Sequence, residues 1–266
     1  MQINQTMKQE NEKEKSIKSA YKLPKILIAI PTYDAKNYCL DAFFQNVSEF
    51  TYPKSNIEIF VADNSKSNKN ALYIRDKFKV KTFWKDYTDV PLMEKLADSH
   101  NQLRRYFLES NCDYMLHLES DIFPPKDVIE QLLFCRKPIV NALYQVFDGA
   151  WRNPCIRLID DKPPHYKDFS FHYELYNFHH WWVDGKLKPT FIAGIGCCLM
   201  KRKIMQNFEF RYDKENKISN PPDTYFAEDL RLAGVQNWVH TGIVAFHWNR
   251  EDWGRHFDLI NYSKAE

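Results

Sequence analysis

The sequence predicts an α/β fold: a mixed, mostly parallel sheet flanked by helices. Three observations predict it. Short apolar runs of strand type alternate with stretches of helical spacing from residue 25 onward. Acids follow directly on several of those runs, at the strand ends where ligands bind in sheets of this kind. The 266 residues are 44% hydrophobic and 15% aromatic, enough apolar material to bury a substantial core.

Residues 25–30 (KILIAI) are continuously apolar and β-branched, as a strand covered on both faces must be, and Pro31 closes the run. Residues 35–50 carry Leu40, Phe43, Phe44 and Val47 on one helical face, ended by Tyr52-Pro53. Residues 57–62 (IEIFVA) form a second strand that runs into Asp63-Asn64-Ser65. A helix over 71–78 and a third strand over 80–84 follow. The stretch 93–110 is a longer amphipathic helix with Leu96, Leu103, Phe107 and Leu108. A fourth strand over 113–118 leads into Glu119-Ser120-Asp121. Pro124-Pro125 stands ahead of a helix over 127–135, where proline is tolerated, and 139–144 is a further strand.

From 145 to 190 the pattern lapses. That segment is rich in proline, histidine and aromatics and has no period, so an irregular, aromatic-rich insertion is expected there. The small-residue apolar segment 190–200 (TFIAGIGCCLM) restores order, with helices over 201–207 and 225–233. Two strands, 237–240 and 242–247, are expected to join at Thr241-Gly242.

The bulk numbers argue against several classes. A net charge of +2 at pH 7 gives no support for nucleic-acid binding. No apolar run approaches the roughly 20 residues of a membrane span. The first 20 residues are polar and charged, without the apolar centre of a secretory signal, and read as a disordered tail. None of the six cysteines forms a C-x-x-C pair, which argues against structural zinc and for core thiols in a reducing cytoplasm.

Four constellations carry candidate chemistry. Glu119 and Asp121, two apart in an extended chain, point the same way and would repel unless a positive charge joins them. Either a hard divalent cation, with phosphate and water completing its shell, or capping of the next helix accounts for them. Asp63 and Asn64 fit a strand-to-helix turn or contacts to a base or ribose. Glu228 and Asp229, in FAEDLRLAG, fit a helix-dipole pair or a general base with its neighbour. His247 ends an apolar strand as a structural histidine or a third metal ligand.

In order, these motifs resemble a family-2-type glycosyltransferase of the GT-A fold, within the nucleotide-diphospho-sugar transferases, from about residue 24 to about residue 250. ILIAIPTYD resembles the opening strand and nucleotide-contact loop, IFVADNS the second strand, and Glu119-Ser120-Asp121 a variant of the D-x-D signature. FIAGIGCCLMKRKIM resembles the Gly-rich segment beside the donor sugar, FAEDLRLAG the E-D motif, and AFHWN the C-terminal histidine. The resemblance implies nucleotide-sugar contacts from Pro31, Thr32, Tyr33, Asp34, Asp63, Asn64, Asp98, Asn101, Glu119, Ser120 and Gly194. It implies Mn2+ or Mg2+ on Asp121, Glu119 and His247, and Asp229 as the base of an inverting transfer with Glu228 beside it. The donor is expected to be UDP-linked and the acceptor a carbohydrate or other hydroxyl. Arg104 or Arg105 is a candidate phosphate partner, Trp181 and Trp182 are candidate sugar-stacking surfaces, and His179 and His180 are weaker metal candidates. One catalytic domain over 23–250 is expected, with a nucleotide-binding half (23–145), an acceptor-side half (146–250) and a tail from 251 to 266.

The chain departs from the family pattern at Glu119, at Asp63-Asn64-Ser65, and at Cys112-Asp113-Tyr114, where a glycine is usual. These departures leave open an inactive nucleotide-sugar-binding protein, and retaining chemistry is a further alternative. A nucleotidyltransferase is disfavoured because AIPTYDAKN lacks the glycines of a phosphate loop.

Overall fold

The structure is a computed structural model that describes residues 23–147, 152–154, 156–157, 184–215 and 220–248. In chain order its strands are β1 Ile26–Thr32, β2 Ile57–Asp63, β3 Lys81–Trp84, β4 Tyr114–Leu118, β5 Ile122–Phe123, β6 Ile139–Leu143, β7 Gln145–Phe147, β8 Arg152–Pro154, β9 Ile156–Arg157, β10 Leu187–Thr190, β11 Ile192–Ala193, β12 Cys197–Lys201, β13 Asn237–Val244 and β14 Phe246–His247. Its α-helices are α1 Leu40–Ser48, α2 Lys69–Phe78, α3 Leu92–Glu109, α4 Val128–Phe134, α5 Arg202–Asn207 and α6 Pro222–Leu232.

Eight strands form one sheet in the order β10-β13-β6-β12-β4-β1-β2-β3. Only β12 and β10 run against the common direction. The sheet is mixed and mostly parallel, as the alternation predicts. β1 lies between β2 and β4, and Ile26 through Ile30 are fully buried. Alternate residues of a strand face opposite sides. Accordingly, Ile26, Ile28 and Ile30 pack with Leu40, Phe43, Ile74 and Val128 under α1, α2 and α4. Leu27 and Ala29 pack with Leu103, Phe107, Met205 and Phe226 under α3, α5 and α6.

Some boundaries differ from expectation. The stretch before α1 is a single 3-10 turn, Asp34–Lys36, with its own role at the rim described below. Residues 187–190 are an edge strand of the main sheet, not part of the irregular insertion. Lys188 and Pro189 hide the strand pattern, and an edge tolerates proline because one side of the strand needs no ladder bond. The expected break at Thr241-Gly242 is a register shift inside the continuous strand β13, held by Lys186, whose N–H donates to Thr241 Oγ1 (3.0 Å). Cys39, Cys112, Cys197 and Cys198 are free and buried, as expected of core thiols, and Cys135 is free and half-buried. Trp181, Trp182, His179 and His180 lie outside the described residues. No helix among the described residues is long and apolar enough to cross a membrane.

Candidate active site

The carboxyl ends of β1, β2 and β4 open onto a cleft of about 320 Å³. The β1 end contributes Pro31, Thr32, Tyr33 and, from the 3-10 turn, Lys36; the β2 end contributes Asn64; the turn after β4 contributes Glu119, Ser120 and Asp121. Leu96 and His100 of α3 form one side, and Ile195 with Pro221, Pro222 and Asp223 at the start of α6 the other.

The rim is tied together across the chain. Thr32 Oγ1 and Ser120 Oγ are 2.8 Å apart, linking the ends of β1 and β4. The Glu119 N–H donates to the Gly196 carbonyl (2.9 Å), fixing the chain where it enters β12. Asp63 Oδ1 accepts from the Ser65 N–H (3.0 Å) and hydroxyl (2.5 Å), while Ser65 Oγ accepts from the Asp34 N–H (2.8 Å). Asp63 and Asp34 thus shape the two loops, and neither lines the cleft. Burial pushes the Asp63 carboxyl above its ordinary range.

Asp121 is the electrostatic centre. Its side chain is 2% exposed, and Oδ2 contacts both Lys36 Nζ and His247 Nε2, the latter at 3.2 Å. The Trp248 N–H donates to the Asp121 carbonyl (2.8 Å), bringing β14 onto the turn. Burial pushes the Asp121 carboxyl up, but His247 and Lys36 outweigh it and hold it below the usual carboxylate value. Burial first, and then the Asp121 charge, push Glu119 up to about 7.

The hydrogen bonds decide the His247 tautomer. Nδ1 lies 2.6 Å from the Gln145 carbonyl, which can only accept, so Nδ1 carries the proton. Nε2 faces the Asp121 oxygen that also holds Lys36 Nζ, so an ion that took the place of the ammonium would meet both the imidazole and the carboxylate. A backbone carbonyl holding Nδ1–H is the usual support of a metal-binding imidazole. No cluster of three His, Cys, Asp or Glu side chains arranged for a metal exists among the described residues. Two protein ligands suffice for a Mg2+- or Mn2+-type ion that takes its remaining oxygens from phosphate and water. Glu119 lines the same cleft without a hydrogen bond to either ligand.

A histidine pair lies at the α3 side. His117 Nδ1 faces the Ile195 carbonyl at 2.8 Å and is therefore protonated, and His117 Nε2 accepts from His100 Nδ1 at 3.0 Å. Burial lowers both pKa values, that of His117 to about 4, so both rings are neutral at pH 7.

Of solved structures, the mannosyltransferase PcManGT from Pyrobaculum calidifontis, in complex with GDP-Man and Mn2+, aligns with a TM-score of 0.53 at 14% identity, over 87% of this chain and 59% of that one. S. aureus TarS 1–349 aligns with a TM-score of 0.52 at 11% identity, over 84% of this chain and 60% of that one. The fold is GT-A-like. The chain spans about three-fifths of the length of either structure. No family model matches it, and no curated protein matches its sequence.

Within the GT-A-like fold, several expected site residues stand apart from the cleft. Asp98 bonds Lys85 (2.8 Å), Tyr87 (3.0 Å) and Arg105 (3.0 Å) beside a separate surface pocket. Asn101 clamps the Phe210 backbone through both its amide atoms, and Arg104 donates to the Met205 and Phe208 carbonyls. Gly194 is a chain neighbour of the cleft residue Ile195 but is not itself in the lining. Glu228 is bonded by Arg231 (2.7 and 3.0 Å), and Asp229 is held by Arg211 in two bonds of 2.8 Å. The acid that α6 delivers to the cleft is Asp223. Six helical positions separate Asp223 from Asp229, about 9 Å along the axis and 120° around it, and only Asp223 is in the cleft lining. His100, which the resemblance places with Asp98 and Asn101 on the nucleotide and metal side, does line the cleft, whereas Lys36 and Asp223 were not singled out from the sequence. The available signal for Asp223 was its place behind Pro221-Pro222, an acid in a first turn with proline at its start.

Proposed function

We propose that this chain is a metal-dependent glycosyltransferase that moves a sugar from a nucleotide diphosphate sugar to a hydroxyl acceptor. One observation carries the reading. Asp121, backed by His247 from 126 residues away, lines a cleft at the ends of parallel strands together with Glu119, Ser120 and Asp223. The fold shared with PcManGT, whose structure holds GDP-Man and Mn2+, supports the nucleotide-linked sugar as the donor class and Mn2+ or Mg2+ as the ion. A UDP-linked donor is the narrower reading that the motif resemblance favours.

Asp121 and His247 would hold the ion, which when bound neutralises charge on the departing nucleoside diphosphate. Pro31, Thr32, Tyr33 and Asn64 line the side where the nucleoside would lie. Glu119 lines the same cleft beside Ser120 and would hydrogen-bond a ribose or sugar hydroxyl. Asp223 faces the same cleft from the opposite wall. As general base it would take the proton of the acceptor hydroxyl while that oxygen attacks the anomeric carbon from the side away from the leaving group, inverting its configuration. Asp229, the base that the E-D resemblance implies, is occupied by Arg211 outside this cleft.

A donor panel tests the reading: UDP- and GDP-linked sugars with Mn2+ or Mg2+, following hydrolysis and transfer. One donor should turn over, and turnover should vanish with chelator and fall at least ~100-fold in Asp121→Asn, the usual scale for losing a major electrostatic contact. Failure of every nucleotide sugar to bind in calorimetry would refute it.

A further inference from the structure

Lys36 is the cation that the motifs did not supply. It stands at the end of the 3-10 turn after β1, its side chain 17% exposed, with Nζ on the same Asp121 oxygen that His247 Nε2 approaches. Nζ also lies 5.9 Å from the centre of the Tyr33 ring, and both residues line the cleft. A metal ion seated between Asp121 and His247 would occupy the space of the Lys36 ammonium, and two cations cannot share one carboxylate oxygen at such range without strong repulsion.

We infer that Lys36 is an internal counter-cation that makes metal and nucleotide binding cooperative. Without ligands it neutralises Asp121. When an ion binds, it must release Asp121, and a diphosphate in the cleft offers it a new anionic partner. Metal entry is therefore opposed by Lys36 in the nucleotide-free protein and favoured once a diphosphate is present. By linkage, each ligand raises the affinity of the other by the same factor. The inference rests on Asp121 and His247 forming the metal site.

The test is a binding square that needs no turnover: Mn2+ affinity by electron paramagnetic resonance, with and without UDP or GDP, in the wild type, Lys36→Met, Lys36→Arg and Asp121→Asn. In Lys36→Met, Mn2+ alone should bind more tightly than to the wild type. The factor by which the nucleotide tightens Mn2+ should shrink about tenfold, within the range common for coupled ligands. Lys36→Arg, which keeps the charge, should keep most of the coupling and covers the case in which the methionine variant fails to fold. If Lys36→Met shows wild-type Mn2+ affinity and coupling while Asp121→Asn loses the metal, the inference is wrong and the metal site stands. If the wild type binds no Mn2+ even with either nucleotide, or Asp121→Asn binds it equally well, the metal site itself is wrong and the inference goes with it.

Discussion

Asp223 and Asp229 are both aspartates of α6, and surroundings alone separate them. Asp229 is half-exposed and paired with Arg211, an ion pair of the kind that contributes up to about 1 kcal/mol. Asp229→Asn should therefore leave transfer within a few-fold of wild type. Asp223→Asn should lower kcat by about 10²- to 10⁴-fold, the usual contribution of a positioned base, while donor affinity is kept. Steady-state kinetics with calorimetric donor titration would check both, and equal activity of the two variants would remove the base assignment. The histidine pair gives a prediction of different kind. His117 titrates near 6.5 unfolded and at about 4 folded. Between those values the unfolded chain binds a proton that the native one does not, so stability falls as pH drops through this window, by on the order of 3 kcal/mol for one such group. Denaturant titrations at pH 7 and pH 4.5 should show the loss, and His117→Asn, which keeps a donor for the Ile195 carbonyl, should shrink it. At this scale the sequence was partly readable. Glu119, Asp121 and His247 stand out because each breaks or ends an apolar run. Lys36 looked like one more lysine in a polar loop, and only its contact with a residue 85 positions away gives it meaning.

The apolar strands β1, β2 and β4 were legible because burial on both faces demands unbroken hydrophobic runs. Edge and irregular elements were not. β10 carries Lys188 and Pro189, and β13 carries Thr241-Gly242, a turn signal that tertiary packing overrides. Gly196, at the entry to β12, shows how one element supports another's chemistry. A Cβ there would meet the Tyr144 ring at 2.8 Å, and its N–H donates to the Tyr144 hydroxyl (3.1 Å). Tyr144 packs edge-on against His247 with ring centres 5.7 Å apart. Gly196→Ala should push Tyr144 toward His247 and cost about 1–3 kcal/mol, as overpacking of a core usually does. Urea denaturation would measure the loss, and unchanged stability would show that the ring yields freely.

For the molecule as a whole, the fold class was readable from the alternation of two periods, and the strand order was not, because it depends on pairings across long stretches of chain. β12 lies between β4 and β6, both of which precede it. A fragment 23–145 would therefore leave one edge of β4 without its partner and expose side chains that Leu199 and Met200 now help to cover. Such a fragment should give no cooperative unfolding transition by circular dichroism, whereas 23–248 should unfold in one step. The pairing of β14 with β5 has a temporal consequence. His247 and Trp248 reach Asp121 only after the rest of the rim has been made. A nascent chain that has left the ribosome as far as residue 240 carries seven of the eight strands of the main sheet and half of β13, yet lacks the histidine that reaches Asp121. The Asp121 contacts of the rim are thus completed only by the residues of β14 and the one that follows it.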